Sequence, residues 1–165
     1  EMGKGKLGHR PSVVSLIYSD DRGRSWRCGD IVCRNDARFR NPSETVMVEL
    51  ADGRVLFNIR SESKENRRLV SISRYGVRGW SEPRFDPALL EPVCMASLLR
   101  ASWPEGGQRS RILFANPDNL ENELVKPGGN LAHDRKRLTV KMSYDECRTW
   151  QIGRASCRER VYLCV

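Results

Sequence analysis

Ser19-Asp20-Asp21-Arg22-Gly23-Arg24-Ser25-Trp26 and Ser143-Tyr144-Asp145-Glu146-Cys147-Arg148-Thr149-Trp150 share one pattern, Ser-x-Asp-x-x-x-(Ser/Thr)-Trp, and each follows a β-like run. A degenerate third copy, Ser73-Arg74-Tyr75-Gly76-Val77-Arg78-Gly79-Trp80, keeps the serine and the tryptophan. The tryptophans are 54 and then 70 residues apart, a period suited to four-stranded blades stacked radially in a propeller. The pattern describes a self-contained turn. Its aspartate can accept N–H bonds inside the loop, its glycine permits a left-handed backbone, and its hydroxyl residue caps. The tryptophan is expected to pin the turn to its blade by apolar burial. A catalytic role for these aspartates is the rival reading, but paired carboxylates doing chemistry have no need to recur once per blade.

Outward from these turns the hydrophobic period is two. Val46, Val48 and Leu50 alternate with Thr45, Met47 and Glu49; after Ala51-Asp52-Gly53-Arg54, Val55, Phe57 and Ile59 alternate with Leu56, Asn58 and Arg60. Asp-Gly between two such runs signals a hairpin, because the turn needs positive φ at its centre. Similar short runs occur at 13–18, 69–73, 111–114 and 138–142. No window carries an apolar i, i+3, i+4, i+7 stripe. The expected class is all-β, with antiparallel sheets arranged as part of a β-propeller.

Composition bounds the function. With 39% hydrophobic and 30% charged residues among 165, the chain supports a packed core. No apolar run approaches the roughly 18 residues of a membrane span, and nothing at the N-terminus reads as a signal peptide. The net charge of +8 invites a nucleic-acid reading. Arginine outnumbers lysine 23 to 6, however, and is scattered among acidic residues instead of forming a stripe. That pattern fits internal ion pairs or an anionic ligand, which the planar guanidinium fork binds well. The six cysteines form no C-x-x-C pair and the histidines His9 and His133 are far apart. No zinc site is expected, and the thiols read as buried or incidental.

The Ser-x-Asp-x-Gly-x-Thr-Trp turns resemble the Asp boxes of sialidases (neuraminidases), six-bladed β-propellers that remove terminal sialic acid from glycoconjugates. The stretch Asn41-Pro42-Ser43-Glu44 through Asn58-Ile59-Arg60-Ser61 is similar to the sialidase segment in which a glutamate starts one strand and an arginine ends the next. Leu90-Glu91-Pro92-Val93-Cys94-Met95-Ala96-Ser97-Leu98, Leu113-Phe114-Ala115-Asn116-Pro117 and Arg135-Lys136-Arg137-Leu138-Thr139-Val140-Lys141-Met142-Ser143 resemble later family segments. The resemblance covers about residues 8 to 151, or about three of six blades. It implies a glycosidase that cleaves with retention, using a Tyr/Glu nucleophile pair and an arginine clamp on the substrate carboxylate. It implies no cofactor and no metal. The implied partners are sialylated glycans, glycoproteins, glycolipids or oligosaccharides, with no nucleic acid and no membrane span.

The resemblance also assigns residues. Arg60 is matched to the second clamp arginine and Arg135 to the third. A carboxylate nucleophile would be repelled by the substrate carboxylate, so the family uses a tyrosine, and an adjacent glutamate must take its proton. Glu44 matches that glutamate. Each position has a structural alternative: Glu44 as a solvated residue before a strand, with Glu49 as the neighbouring acid, and Arg60 as a partner for an adjoining blade. Arg137 competes with Arg135, since it would share a strand face. The first clamp arginine, the acid/base aspartate and the nucleophilic tyrosine have no match; Tyr144 is inside an Asp box and Tyr18 precedes one. The chain therefore reads as a sialidase fragment, inactive alone, with a non-catalytic Asp-box propeller binding glycans or proteins as the alternative function.

Two irregularities complete the reading. Cys147 stands where the Asp box wants glycine and is expected to bear the left-handed backbone cost. After Gln151 the β pattern is expected to stop, and 152–161 looks like a translated sequencing adapter, so 1–151 is assigned to the partial propeller and 152–165 to a non-native tail. A genuine basic strand or loop is the other reading of the tail. No compartment is assigned; secretion or periplasmic export is compatible with the complete enzyme.

Overall fold

The computed structural model describes residues 10–123 and 133–155, and in them every regular element is a strand. The first sheet pairs β1 (Val14–Tyr18) with β2 (Arg27–Cys33). The second is a four-stranded antiparallel meander of β3 (Thr45–Glu49), β4 (Val55–Ile59), β5 (Arg67–Ser73) and β6 (Arg84–Leu90). The third repeats it with β7 (Ser97–Ser102), β8 (Arg111–Pro117), β9 (Leu138–Ser143) and β10 (Gln151–Ala155). The described residues thus hold two complete blades and two strands of another, the arrangement of an incomplete propeller.

The 45–59 hairpin lies where its alternation put it. Thr45 pairs with Ile59, Met47 with Phe57 and Glu49 with Val55, and Gly53 supplies the positive φ of the turn. Because successive side chains point to opposite faces, β4 and β5 feed two cores. Phe57, Ile59 and Leu69 join Val14, Val32, Cys33 and Phe39 between the first and second sheets. Leu56 and Val70 join Val48, Leu50, Ile112 and Cys147 between the second and third. Ile59, Leu69 and Ile112 are fully buried, and each such side chain contributes roughly 1.5–3 kcal/mol by leaving water. At the first interface the backbones come close: a Cβ on Gly29 would lie 2.6 Å from the carbonyl oxygen of Val77, so only glycine fits there.

Two of the Asp-box turns join the third strand of a sheet to its fourth, β5 to β6 and β9 to β10, and the other joins β1 to β2, the two strands of the first sheet; the turns share one rim. In the first, Asp21 accepts from the Ser25 N–H at 2.8 Å and hydroxyl at 2.6 Å, while Ser19 Oγ accepts the Gly23 N–H at 2.7 Å. The last repeats this with Asp145, Thr149, Ser143 and Cys147 at 2.8, 2.6 and 2.9 Å. Gly23 has φ 84° and Cys147 has φ 64°, so the cysteine adopts the left-handed backbone expected of it. Its side chain is buried in the second core. In the middle turn, which lacks the aspartate, Ser73 Oγ alone accepts the Tyr75 and Gly76 N–H groups, both at 3.0 Å.

Two expectations change. Trp80 packs on Phe57 and Trp150 on Phe114, but Trp26 is 60% exposed. The platform in each complete blade is the second strand, β4 or β8, and the first sheet has no equivalent among the described residues. The β pattern also continues past Gln151: Ile152 pairs with Lys141 and Ala155 with Thr139 across β10 and β9. Residues 156–165, the remainder of the proposed tail, lie outside the described residues.

Glu146 ties the second and third blades together at the Asp-box rim. Its carboxylate accepts from Arg100 Nη2 at 2.5 Å, from the Ala51 N–H at 2.6 Å and from the Ser110 hydroxyl, and Arg100 also donates twice to the Glu49 carbonyl. Burial pushes the Glu146 pKa up, but Arg100, Ser110 and the Ala51 N–H outweigh it and hold the carboxyl below its ordinary value of 4.5. A pKa depressed by folding gives stability that is full above the unfolded value and is lost as pH falls through the folded one. We expect urea midpoints of the wild type to drop as pH goes below 4.5. Glu146→Gln should be less stable at neutral pH and show a shallower acid slope. An unchanged slope would remove Glu146 from the acid response.

Candidate functional site

The opposite rim gathers the residues matched to the family's machinery. Glu44 directly precedes β3 and Arg60 directly follows β4, and the ladder continues through them: Ser43 N–H donates to Arg60 O at 2.9 Å and Arg60 N–H to Glu44 O at 3.2 Å. Residues paired across an antiparallel ladder share a face. By strand parity that face is the one bearing Val48, Leu56 and Asn58, which looks toward the third sheet. Glu44 and Arg60 are therefore side by side through backbone register. Arg60 Nε lies 3.2 Å from Glu44 Oε2, and Nη1 donates to Ser43 Oγ at 2.6 Å.

Burial separates the two. The Arg60 side chain is 10% exposed and that of Glu44 is 44% exposed, so the arginine is a fixed cation and the carboxylate can be reached from outside. Arg60 Nε is buried and its charge is balanced by the Glu44 carboxylate beside it. Glu62, whose side chain is wholly buried, accepts from Arg10 through both Nε and Nη2, from Asn41 Nδ2 at 2.8 Å, and lies 4.0 Å from Arg60 Nη2. It buttresses Arg60 from behind. Sequence reasoning did not single out Glu62 or Arg10; the one signal was that Glu62 stands two residues after Arg60 and so points the same way in extended chain.

The third sheet closes the site. Cys94 is buried in the segment between β6 and β7, and Arg135, Glu44, Arg60 and Glu91 all act electrostatically on its thiol. Glu44 and Arg60 are in direct contact, and Arg135 acts with them on the Cys94 thiol from the segment before β9. Arg135 is half-buried and, among the described residues, makes no ion pair. Arg137, the other candidate, is exposed and pairs with Glu121 Oε1 at 2.8 Å. Glu49 sits at the far end of β3 with an exposed side chain. Tyr18, Tyr75 and Tyr144 all lie at the Asp-box rim, away from Glu44. An apolar groove of about 380 Å³, lined among others by Val46, Met95, Leu98, Pro117 and Leu138, adjoins the site. Among the described residues no group of three or more His, Cys, Asp or Glu could hold a metal.

Stacked four-stranded antiparallel sheets, with Asp-box turns at one rim and the Glu44–Arg60 pair at the other, define part of a β-propeller. The chain belongs to the BNR repeat-like domain family, which it matches over residues 5–154. It is 32% identical to a sialidase of Micromonospora viridifaciens over 140 residues, 84% of this chain and 19% of that protein. It is 28% identical to a sialidase of Bacteroides fragilis (strain YCH46) over 139 residues, 83% of this chain and 22% of that one. Among solved structures, the Hadza microbial sialidase Hz136 superposes with a TM-score of 0.60 at 28% identity, covering 81% of this chain and 23% of that one. Trypanosoma rangeli sialidase shares the fold, with a TM-score of 0.52 at 24% identity over 80% of this chain and 19% of that one. The chain spans about a fifth of the length of the curated relatives it matches.

Burial dominates at Cys94 and pushes its thiol up, while it pushes those of Cys33 and Cys147 to about 12. Since the thiolate is the reactive form, we expect iodoacetamide at pH 8 to label exposed Cys28 in the native chain and to leave Cys33, Cys94 and Cys147 unmodified until denaturant is added. Peptide mass mapping reads this directly; native labelling of Cys94 at the rate of Cys28 would contradict the placement of the site segment.

Proposed function

We propose that this chain is the part of an exo-α-sialidase that supplies the general base and two arginines of the carboxylate clamp. The observation that carries the reading is the registered pair of Glu44 and Arg60, which share the blade face turned toward the third sheet. A terminal sialic acid bears its carboxylate on the anomeric carbon. Arg60, a fixed guanidinium at the site rim, and Arg135, with no protein carboxylate paired to it among the described residues, suit a planar, bidentate hold on that group. Arg60 already has Glu44 and Glu62 as counter-charges, whereas half-buried Arg135 has none among the described residues, and the substrate carboxylate would supply it.

Glu44 in this reading takes the proton from a tyrosine supplied by another part of the propeller, so that the phenolate attacks the anomeric carbon as the bond to the leaving oxygen breaks. Water then cleaves the tyrosyl–sugar bond, and the configuration is retained. The exposure of Glu44 lets a phenol reach it. Residues 1–151 would belong to the propeller. We retain residues 152–165 as a foreign tail, since an extended chain of any origin can pair with an unpaired sheet edge.

The substrates in this account are sialylated glycans. In a polypeptide carrying all blades, release of a fluorescent aglycone from a sialic acid glycoside should fall at least about a hundredfold in Glu44→Ala and Arg60→Ala. Rates near wild type for both would overturn the assignment and favour a glycan-binding propeller without catalysis.

A further inference from the structure

Among the described residues, the largest fully buried side chain, Arg68, is charged and lies outside the catalytic assignments. Arg68 and Glu91 are each fully buried and paired through Nη1 and Oε2 at 2.5 Å. The pair's further hydrogen bonds go to backbone and to Asn58. Arg68 Nε donates to Asn58 Oδ1 at 2.6 Å and Nη2 to the Asn58 carbonyl at 3.1 Å. Arg68 Nη1 also donates to the Cys94 carbonyl at 3.1 Å, and Glu91 Oε1 accepts the Cys94 N–H at 2.9 Å. One ion pair therefore holds Cys94 by both of its backbone groups, and between them Val93 is kept at φ 61°, a costly setting for a β-branched residue.

The segment so held is the bridge between the two halves of the site. Arg68 is anchored on β4 through Asn58, two residues before Arg60. On the other side, His133 N–H donates to the Pro92 carbonyl at 3.0 Å, and its ring nitrogen Nε2 is 3.1 Å from Asn66 Oδ1. Asn66 in turn accepts the Glu91 N–H through its carbonyl at 3.0 Å. Arg135 is two residues beyond His133. The path from Arg60 to Arg135 thus runs through Asn58, Arg68, Glu91 and Pro92 by hydrogen bonds and short backbone steps.

We infer that Arg68 and Glu91 are positioning residues which, by clamping the 91–94 segment, set the distance and angle between the Arg60 and Arg135 guanidinium groups. The inference rests on the sialidase reading of Arg60 and Arg135. It explains why a charged pair occupies a position that apolar side chains could fill with equal or better stability: only a fork of five donors reaches Asn58, Glu91 and Cys94 at once.

The test is a double-mutant cycle in the complete propeller, reading kcat and KM on a fluorogenic sialoside. Glu91→Gln keeps the shape but loosens the clamp, and should raise KM about tenfold or more with a smaller change in kcat, the signature of lost ground-state binding. Because Glu91 acts through Arg135, it should add little in an Arg135→Ala background. Where Glu91→Gln fails to fold, the Arg68→Met/Glu91→Leu double variant removes the buried charge while still freeing Cys94, and should show the same KM rise. Glu146→Gln, at the other rim, serves as the control that changes stability and leaves KM unmoved. A full KM effect of Glu91→Gln in the Arg135→Ala background, or an unchanged KM in the folded double variant, overturns the inference and leaves the clamp standing. An unchanged KM in Arg135→Ala itself removes the clamp assignment, and the inference with it.

Discussion

The apolar side chains of β4 and β5 must be buried on both faces of one sheet, and this requirement organises the rest of the structure. Phe57, Ile59 and Leu69 need cover on one side, Leu56 and Val70 on the other. A single meander cannot satisfy both, so a sheet must stack on each side. Stacking places the equivalent ends of successive blades beside one another. The Asp-box turns then fall at one rim, and the starts of β3, β7 and β9 at the other. The two rims divide the chain's chemistry: one is closed by side chain to backbone bonds within turns, and the other collects arginines and carboxylates.

The rims also differ in how charge is used. At the Asp-box rim Arg100 and Glu146 spend their hydrogen bonds on each other, on Ser110 and on backbone, leaving a completed local network. At the site rim the bonding is incomplete by design of the register. Glu44 and Arg60 sit side by side with Arg60 Nε 3.2 Å from the carboxylate, and Arg135 has no ion pair among the described residues. Unfinished donors held on a rigid support are what an anionic ligand completes.

The fold was legible because its signals are local. The Asp box fixes a turn within eight residues, and the 45–59 hairpin announces its register by alternation and by Asp-Gly. Glu44 and Arg60 were legible through resemblance, and their pairing follows from that register. The Arg68–Glu91 pair was not legible. Lys64-Glu65-Asn66-Arg67-Arg68 looks like a charged, solvated turn, and the burial of Arg68 depends on a partner 23 residues away. Glu62 and Glu146 escaped notice for the same reason: their roles arise where separate sheets meet, which no single period records. The exposure of Trp26 shows the converse, since its motif is intact and only its platform is missing from the described residues.

The most direct measurement is a crystal structure of the complete propeller with a sialic acid glycal, whose planar anomeric carbon resembles the transition state. The account predicts the ligand carboxylate within hydrogen-bond distance of Arg60 and Arg135, with Glu44 beneath the anomeric carbon beside a tyrosine hydroxyl. A carboxylate bound elsewhere, with Arg60 and Arg135 directed only at protein groups, would contradict it.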